Sequence, residues 1–340
     1  MVAPKTGGTQ MKLLDTVLLF SLPASGKSEV RTYMASLTEE QCRRDFGMGP
    51  TLQLDDYPYV HLMHCIDDEL RKHGWHDVYY YGPNRPFRDN WTWAVLIELL
   101  NEDYAHLLAQ KPYQATSAAE LLLDRLDAAH LKLGLPDVLG EVPYRIRKKV
   151  AGCLESEAAR ELTLLNRTVS QDRTGKTIVI EAARGGPNGA AFPLCPPHGY
   201  ATAFETLSPT ILERSSVLYI WVDPAESRRK NIARGQPNAQ GSILHHCVPM
   251  EVMLGQYGTD DMAYLMSQSD QPGTIRIDRI VEQAGRYETR TYRLPVARLD
   301  NRVDKTTFVR AAREEWRAED IEALHSGLAG AFAQLGKALS

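Results

Sequence analysis

The chain has 340 residues and a formal net charge of −4. This length suggests one large domain or two ordinary ones, with enough residues to bury a substantial core. The small negative charge provides no overall basic surface for duplex nucleic acid or an acidic membrane, so we expect neither as a partner.

The five cysteines are never in C-x-x-C spacing, which favours reduced thiols in a cytoplasmic protein over a disulfide framework. His64-Cys65 and His245-His246-Cys247 contain metal-ligand side chains, but adjacent residues rarely converge on one ion, so we favour core or solvated roles. No segment has the roughly 20 apolar residues that a membrane helix needs. Residues 1–11 are expected to form a flexible tail.

A phosphate-binding loop is predicted near the N-terminus. An apolar run of strand length at 13–20 leads into S-L-P-A-S-G-K-S at 21–28, and residues 29–37 are suited to a helix. In the pattern G-x-x-x-x-G-K-[ST], backbone N–H groups wrap a polyphosphate, the lysine neutralises its outer oxygens, and the next hydroxyl binds Mg²⁺. The predicted cofactor-binding residues are Leu22, Pro23, Ala24, Ser25, Gly26, Lys27, Ser28 and Glu29.

This loop departs from the pattern at one position, because Ser21 replaces the first glycine. A side chain is tolerable there if φ stays negative, and the Gly-Lys-Ser that touches phosphate is intact. The alternative interpretation is a glycine turn before a helix that binds nothing, since such turns are common.

A second strand is predicted over residues 51–56, and it ends in Asp55 and Asp56. Ligands bind at the carboxyl ends of the strands in open α/β sheets, so these acids are candidate catalytic groups. Successive side chains of a strand point to opposite faces, so we expect one acid to face a substrate, and we favour Asp55. Alternatively, the pair caps the segment that follows.

Residues 57–175 are expected to form a helical insertion. Apolar residues recur at helical spacing over 93–107, 121–133 and 146–165, which predicts three helices with core-facing stripes. Residues 78–88 form a turn-rich aromatic and basic loop.

A third strand is predicted over 177–181, and it ends in Glu181. Apolar residues before an acid are typical of a Walker B strand, whose carboxylate holds Mg²⁺. The long loop at 182–200 is expected to be functional. A fourth strand at 217–222 leads into a cation-rich helix at 223–235, whose arginines either close over a triphosphate or form a solvated helix end.

The remaining elements are a late strand and a last helix. Residues 287–299 alternate as a strand or hairpin, and Pro295 favours an edge position. The last helix is predicted to begin at Asp304 and to carry a core-facing stripe from Phe308 to Leu335.

Taken in this order, the elements resemble the phosphate-loop kinases of small molecules, such as adenylate kinase, uridine kinase and phosphoribulokinase. The segment Asp55-Asp56-Tyr57 is similar to the Asp-Asp-Phe-Tyr stretch of the uridine kinase and phosphoribulokinase branch. The resemblance implies a three-layer α/β fold with a parallel five-stranded sheet in the order 2-3-1-4-5. Its core would comprise 12–56 and 176–340, with a lid near 223–245, and the insertion at 57–175 would be the acceptor-binding region.

The resemblance also implies an activity, the transfer of the γ-phosphate of ATP to a hydroxyl or phosphate of a small metabolite such as a nucleoside, nucleotide or sugar. The guanine-selecting motif Asn-Lys-x-Asp is absent from the sequence, which favours ATP over GTP. Two other activities stay open: a nucleotide-dependent ATPase or switch whose insertion grips a protein partner, and a toxin or resistance-type kinase acting on a nucleotide-sugar or antibiotic. The sequence does not indicate an oligomeric state.

Phosphoryl transfer depends on positioning and charge neutralisation, which assigns a role to each candidate. Lys27 would bridge the outer phosphates, Ser28 and Glu181 would hold Mg²⁺, and Asp55 or Asp56 would orient or deprotonate the attacking hydroxyl. Charge on the transferred group would be stabilised by Arg228, Arg229 or Arg234. The candidate acceptor contacts are Tyr57, Arg85, Arg88, Arg184 and His198.

Overall fold

The computed structural model describes residues 12–235, 247–283 and 285–339. The predicted tail at 1–11 and the part of the predicted lid at 236–245 lie outside this range. The fold is α/β, built on a six-stranded, mostly parallel sheet in the order β2-β3-β1-β4-β6-β5. The strands are β1 Thr16–Phe20, β2 Thr51–Asp55, β3 Thr177–Ala182, β4 Ser215–Trp221, β5 Thr274–Gln283 and β6 Arg286–Asp300.

Twelve helices are described, and none of them is long and apolar enough to cross a membrane. They are α1 Lys27–Ala35, α2 Glu39–Phe46, α3 Tyr57–Lys72, α4 Thr92–Ala109, α5 Ala118–Lys132, α6 Tyr144–Val169, α7 Gly199–Thr206, α8 Pro209–Arg214, α9 Pro224–Arg234, α10 Met250–Gln256, α11 Met262–Gln268 and α12 Ala318–Leu339. The three helices predicted from apolar spacing between 93 and 165 are α4, α5 and α6.

The register of strands β1, β2 and β3 places the loops that follow them at one edge of the sheet. Every residue of β1 is buried, because this strand lies between β3 and β4 with both faces covered, as in parallel sheets generally. Phe20 is in register with Ala182, and Asp55 is in register with Glu181. The loops that follow β1, β2 and β3 therefore leave the same edge of the sheet.

The sheet differs from the predicted five parallel strands in the order 2-3-1-4-5. The position beside β4 is taken by β6, and β5 pairs antiparallel with the outer side of β6. The sequence analysis missed β5 altogether, although its first residues, Thr274-Ile275-Arg276-Ile277-Asp278, alternate apolar and polar as a strand with one buried face does.

The edge position predicted from Pro295 is wrong, because β6 lies between two strands. The N–H of Val296 donates to the oxygen of Gly273 at 2.8 Å, on the β5 side. Successive N–H groups of a strand point to alternate sides, so the nitrogen of Pro295 faces β4. Pairing with β4 begins only at Val296, and the missing N–H of Pro295 therefore breaks no ladder bond.

Helices cover both faces of the sheet. One core contains Leu18 and Phe20 of β1 together with residues of α4, α7 and α8, and the other contains Val17 and Leu19 with residues of α1, α2 and α12. The insertion adds a third core formed mainly by α3, α4, α5 and α6. The last helix begins at Ala318 and not at Asp304, because the Asp304 carboxylate accepts the N–H groups of the next turn and two short 3-10 turns follow, Thr307–Arg310 and Arg313–Glu315.

Candidate functional site

The loop between β1 and α1 has an unusual backbone. Ala24 has φ 56° and Gly26 has φ 108°, both in the left-handed region. At Gly26 a Cβ would lie 2.5 Å from Thr306 Oγ1, so this glycine is required by its φ and by a close neighbour. Ser21 is absent from the residues with positive φ, so its replacement of glycine is accommodated as expected.

Two side chains from distant segments hold carbonyl groups of this loop. The Ser227 hydroxyl donates to the oxygen of Pro23 at 2.7 Å, and the Asn301 amide donates to the oxygen of Ser25 at 2.7 Å. In a trans peptide the C=O and the following N–H point in opposite directions. The N–H groups of Ala24 and Gly26 therefore point away from these side chains.

The backbone N–H groups of the loop have no hydrogen-bond partner among the residues that the structure describes. Within the described part of the chain, no N–H from Leu22 to Ser28 donates a hydrogen bond, although Leu22, Ala24, Ser25 and Gly26 are buried. Unpaired N–H groups in buried segments are rare in proteins. Together with the first turn of α1, they form an arrangement suited to an anion.

Lys27 folds back over this loop. Its Nζ donates to the backbone oxygen and to Oγ of Ser21, each at 3.2 Å. Burial lowers the pKa of Lys27, while the nearby carboxylates of Glu181, Asp56 and Asp55 act in the opposite direction. The structure thus brings the loop lysine together with all three acids predicted from the strand ends.

The three acids differ in their partners. Asp56 accepts from Arg184 at 2.6 Å, and Glu181 accepts from Arg31 at 2.7 Å. Asp55 accepts the N–H of Tyr57 at 2.9 Å and has no salt bridge to any described residue. Burial, followed by the charges of Glu181 and Asp56, raises the pKa of Asp55 to about 7.

The carboxylate of Glu29, a predicted cofactor-binding residue, lies between two arginines. Its carboxylate is only 1% exposed and is held by Arg234 at 3.2 Å and Arg310 at 2.6 Å. Burial alone would raise the pKa of Glu29, but the two arginines outweigh it and lower that pKa. Glu29 therefore positions two cations beside the loop, and its carboxylate is already engaged.

Helix α9 turns only part of its predicted cation cluster inward. Arg229 is 61% exposed and pairs with Glu226 one turn earlier, and the half-buried Arg228 reaches Asn188 at 3.5 Å. Ser227 and Lys230 are buried instead. Of the three predicted arginines, Arg234 pairs with Glu29 of α1, Arg228 lies half-buried beside Asn188, and Arg229 is exposed to solvent.

The predicted acceptor contacts are also divided. Arg184 is buried against the acids, and its guanidinium lies 5.0 Å from the ring centre of Trp93. Tyr57 is exposed on the first turn of α3, next to Asp55. The other three show less connection to the loop. Arg85 pairs with Glu251 at 3.0 Å, Arg88 lies over the Tyr81 ring at 5.6 Å, and His198 has a buried Nδ1 without a described partner.

Four residues at the site were missed in the sequence: Arg31, Ser227, Asn301 and Arg310. Arg31 follows Lys27 by four residues, which places both on one face of α1, and that spacing could have indicated it. Asn301 directly follows β6, so a correct strand boundary could have indicated this residue. Nothing local distinguishes Ser227 or Arg310, whose partners are far away in the chain.

Magnesium is implied by the loop motif, and the residues present fit it. The Ser28 side chain is half-buried and has no hydrogen-bond partner in the described ranges. Glu181 and Asp55 supply carboxylate oxygens on neighbouring strands. Such hard oxygen donors are those that Mg²⁺ prefers, commonly with one or two carboxylates plus substrate phosphates.

Comparisons with protein-family models, with curated proteins and with solved structures give no match for this chain. The resemblance to phosphate-loop kinases therefore stays a prediction from the sequence.

Proposed function

We propose that the chain is an ATP-dependent phosphotransferase that moves the γ-phosphate to a hydroxyl or phosphate of a small metabolite. The observation that carries this proposal is the loop at 22–28, where N–H groups in a buried segment have no partner in the described chain. Polyphosphate oxygens are the acceptors that would satisfy them. Of the two candidate nucleotides, ATP is favoured because the guanine-selecting motif is absent.

The cations around the loop support binding of a highly charged anion. Lys27 would exchange its bonds to Ser21 for phosphate oxygens. Arg31 and Arg234 each have a buried Nε with no described partner, and burial lowers the pKa of Arg234. A bound phosphate would supply the missing acceptors, and these preplaced charges would stabilise the transferring group.

Ser28 and Glu181 would hold Mg²⁺, which when bound neutralises charge on the phosphates. The Arg31 guanidinium would then release Glu181 and turn towards the phosphate oxygens. Glu181 would then face Mg²⁺ in place of the Arg31 guanidinium, and Arg31 would face the phosphate.

Asp55 would receive the proton of the attacking hydroxyl. A general base works best when its pKa lies near the working pH, and the pKa of Asp55 is raised to about 7 by burial, Glu181 and Asp56. Asp56 is already paired with Arg184 at 2.6 Å, so we assign this pair to positioning the acceptor. Arg184 suits an acceptor that carries a hydroxyl and an anionic or polar group.

A nucleotide switch that needs a protein partner is the second candidate. Such proteins often receive an arginine from the partner, whereas Arg31, Arg234 and Arg310 already surround this loop in cis. The cis arginines favour a self-contained transfer reaction. A nucleotide-sugar or antibiotic acceptor would change the acceptor pocket and leave the loop chemistry the same.

The test is Lys27→Ala, with the exposed Lys111→Ala as the matched control. Binding of ATP with Mg²⁺ is measured by calorimetry, and ADP formation is followed over a panel of nucleosides, nucleotides and sugars. Lys27→Ala should lower turnover by about 10²–10³-fold, because it removes a preorganised charge, while circular dichroism stays unchanged. Equal turnover in both variants would refute the proposal.

A second variant separates binding from transfer. Asp55→Asn should keep ATP binding and lose transfer to the acceptor. ATP hydrolysis that no small molecule alters, but that a protein partner stimulates, would favour the switch. Full transfer activity in Asp55→Asn would remove Asp55 as the base and leave the nucleotide site intact.

A further inference from the structure

The packed pair α3 and α6 carries a row of metal-ligand side chains unrelated to the phosphate loop. On α3, His61, Cys65, Glu69 and His73 follow one another at intervals of four residues, which places them along one face of the helix. Cys153 lies on α6, which packs against α3. This row runs from near Asp55 to the far end of α3.

Three of these side chains meet at the far end. The ligand atoms of Glu69, His73 and Cys153 all lie within 4.8 Å of one another. His73 Nε2 and Cys153 Sγ are 3.8 Å apart. In a tetrahedral zinc site with usual bond lengths, nitrogen and sulfur ligands lie about 3.6 Å apart. The separation of these two atoms is therefore close to that of zinc ligands before any movement.

We propose that Glu69, His73 and Cys153 form a binding site for a divalent transition metal ion of the zinc type. A thiolate and an imidazole select such ions over Mg²⁺ and Ca²⁺, which prefer oxygen donors. Three protein ligands leave a position of the tetrahedron open to water.

The present partners of these side chains can be displaced. Lys72 Nζ lies 2.7 Å from Glu69 Oε1, but Lys72 is exposed, and exposed ion pairs contribute little to stability. The Cys153 thiol and His73 Nε2 share a hydrogen bond at 3.8 Å. Binding would replace this hydrogen bond with a metal–sulfur bond, and the thiol proton would be released to solvent.

The consequence is a crosslink between α3 and α6. Glu69 and His73 belong to or directly follow α3, and Cys153 belongs to α6, 80 residues from His73 in the chain. Because α3 begins next to Asp55, the ion would fix the helix that leads from the acceptor side of the candidate site. The site itself stands independently of the proposed phosphotransferase activity.

The test is titration of the full-length chain, free of added histidines and stripped with a chelator, with Co²⁺. The parent should bind one ion per chain and show the thiolate-to-cobalt charge-transfer band, which Zn²⁺ then abolishes. Cys153→Ser should lose this band, and His73→Ala should weaken binding at least tenfold. The matched controls are the exposed His76→Ala and Cys247→Ser, which should leave both unchanged.

Cys247 is the decisive control, because His245 and His246 precede it in the sequence. If Cys247→Ser loses the band and Cys153→Ser keeps it, the metal is bound at Cys247 and the proposal is wrong. The lack of any band in the parent would also refute the proposal. A second measurement is thermal unfolding with Zn²⁺. The parent should gain in Tm, while Glu69→Gln and Cys153→Ser should gain much less, and an equal gain in all three would overturn the crosslink.

Discussion

Removal of the charge on Asp55 should stabilise the protein in a pH-dependent way. The pKa of Asp55 is raised from 3.8 to about 7 by burial, Glu181 and Asp56. Between these two pH values the folded chain keeps the proton while the unfolded chain loses it. The free energy of unfolding therefore falls as the pH rises from about 4 to about 7 and is unaffected by this group above that range.

The size of the effect follows from the shift. A shift from 3.8 to about 7, at 1.36 kcal/mol per unit, amounts to about 4 kcal/mol at pH 8. At pH 5 only the interval between pH 3.8 and pH 5 contributes, and the effect is about 2 kcal/mol. Asp55→Asn removes the charge and keeps an oxygen for the Tyr57 N–H, so it should stabilise by up to these amounts.

Urea unfolding at pH 8 and pH 5, with a chelator and without nucleotide, measures this difference. The matched control is Asp124→Asn, whose carboxylate is 71% exposed and should change stability by less than about 1 kcal/mol at both pH values. If Asp55→Asn stabilises the protein equally at both pH values, or destabilises it at pH 8, then ionisation of Asp55 does not lower the free energy of unfolding.

Two other substitutions test the supports of the loop. Glu29→Gln should destabilise by about 3 kcal/mol in urea unfolding, because it leaves two partly buried arginines without their counter-charge; a loss below about 1 kcal/mol would contradict this role. Gly26→Ala should cost at least about 2 kcal/mol, because of its positive φ and the contact with Thr306. The helical Gly152, which has open space around it, is the control, and its change to alanine should stabilise by about 0.5–1 kcal/mol.

The features that could be predicted from sequence are those encoded by neighbouring residues. The strand, loop and helix around Lys27 depend on consecutive residues, and the acids Asp55 and Glu181 stand at the ends of apolar runs. The three insertion helices follow from apolar spacing. Each of these signals lies within a window of about 20 residues.

The features that the sequence did not indicate depend on contacts between distant segments. Glu29 reads as part of the loop motif, but its partner Arg310 is 281 residues away, and no local pattern shows that pairing. The exposure of Arg229 depends on which face of α9 meets the loop. The position of β6 inside the sheet depends on its pairing with β5, and the sequence of β6 alone does not indicate that pairing.

The bond from Asn301 to Ser25 joins residues 276 positions apart. During synthesis on a ribosome, strand β1 and helix α1 emerge early, but the amide that holds the loop carbonyl emerges only near the end. A truncated chain that ends before Asn301 would lack this restraint. The geometry of the proposed nucleotide site should therefore be completed late in synthesis.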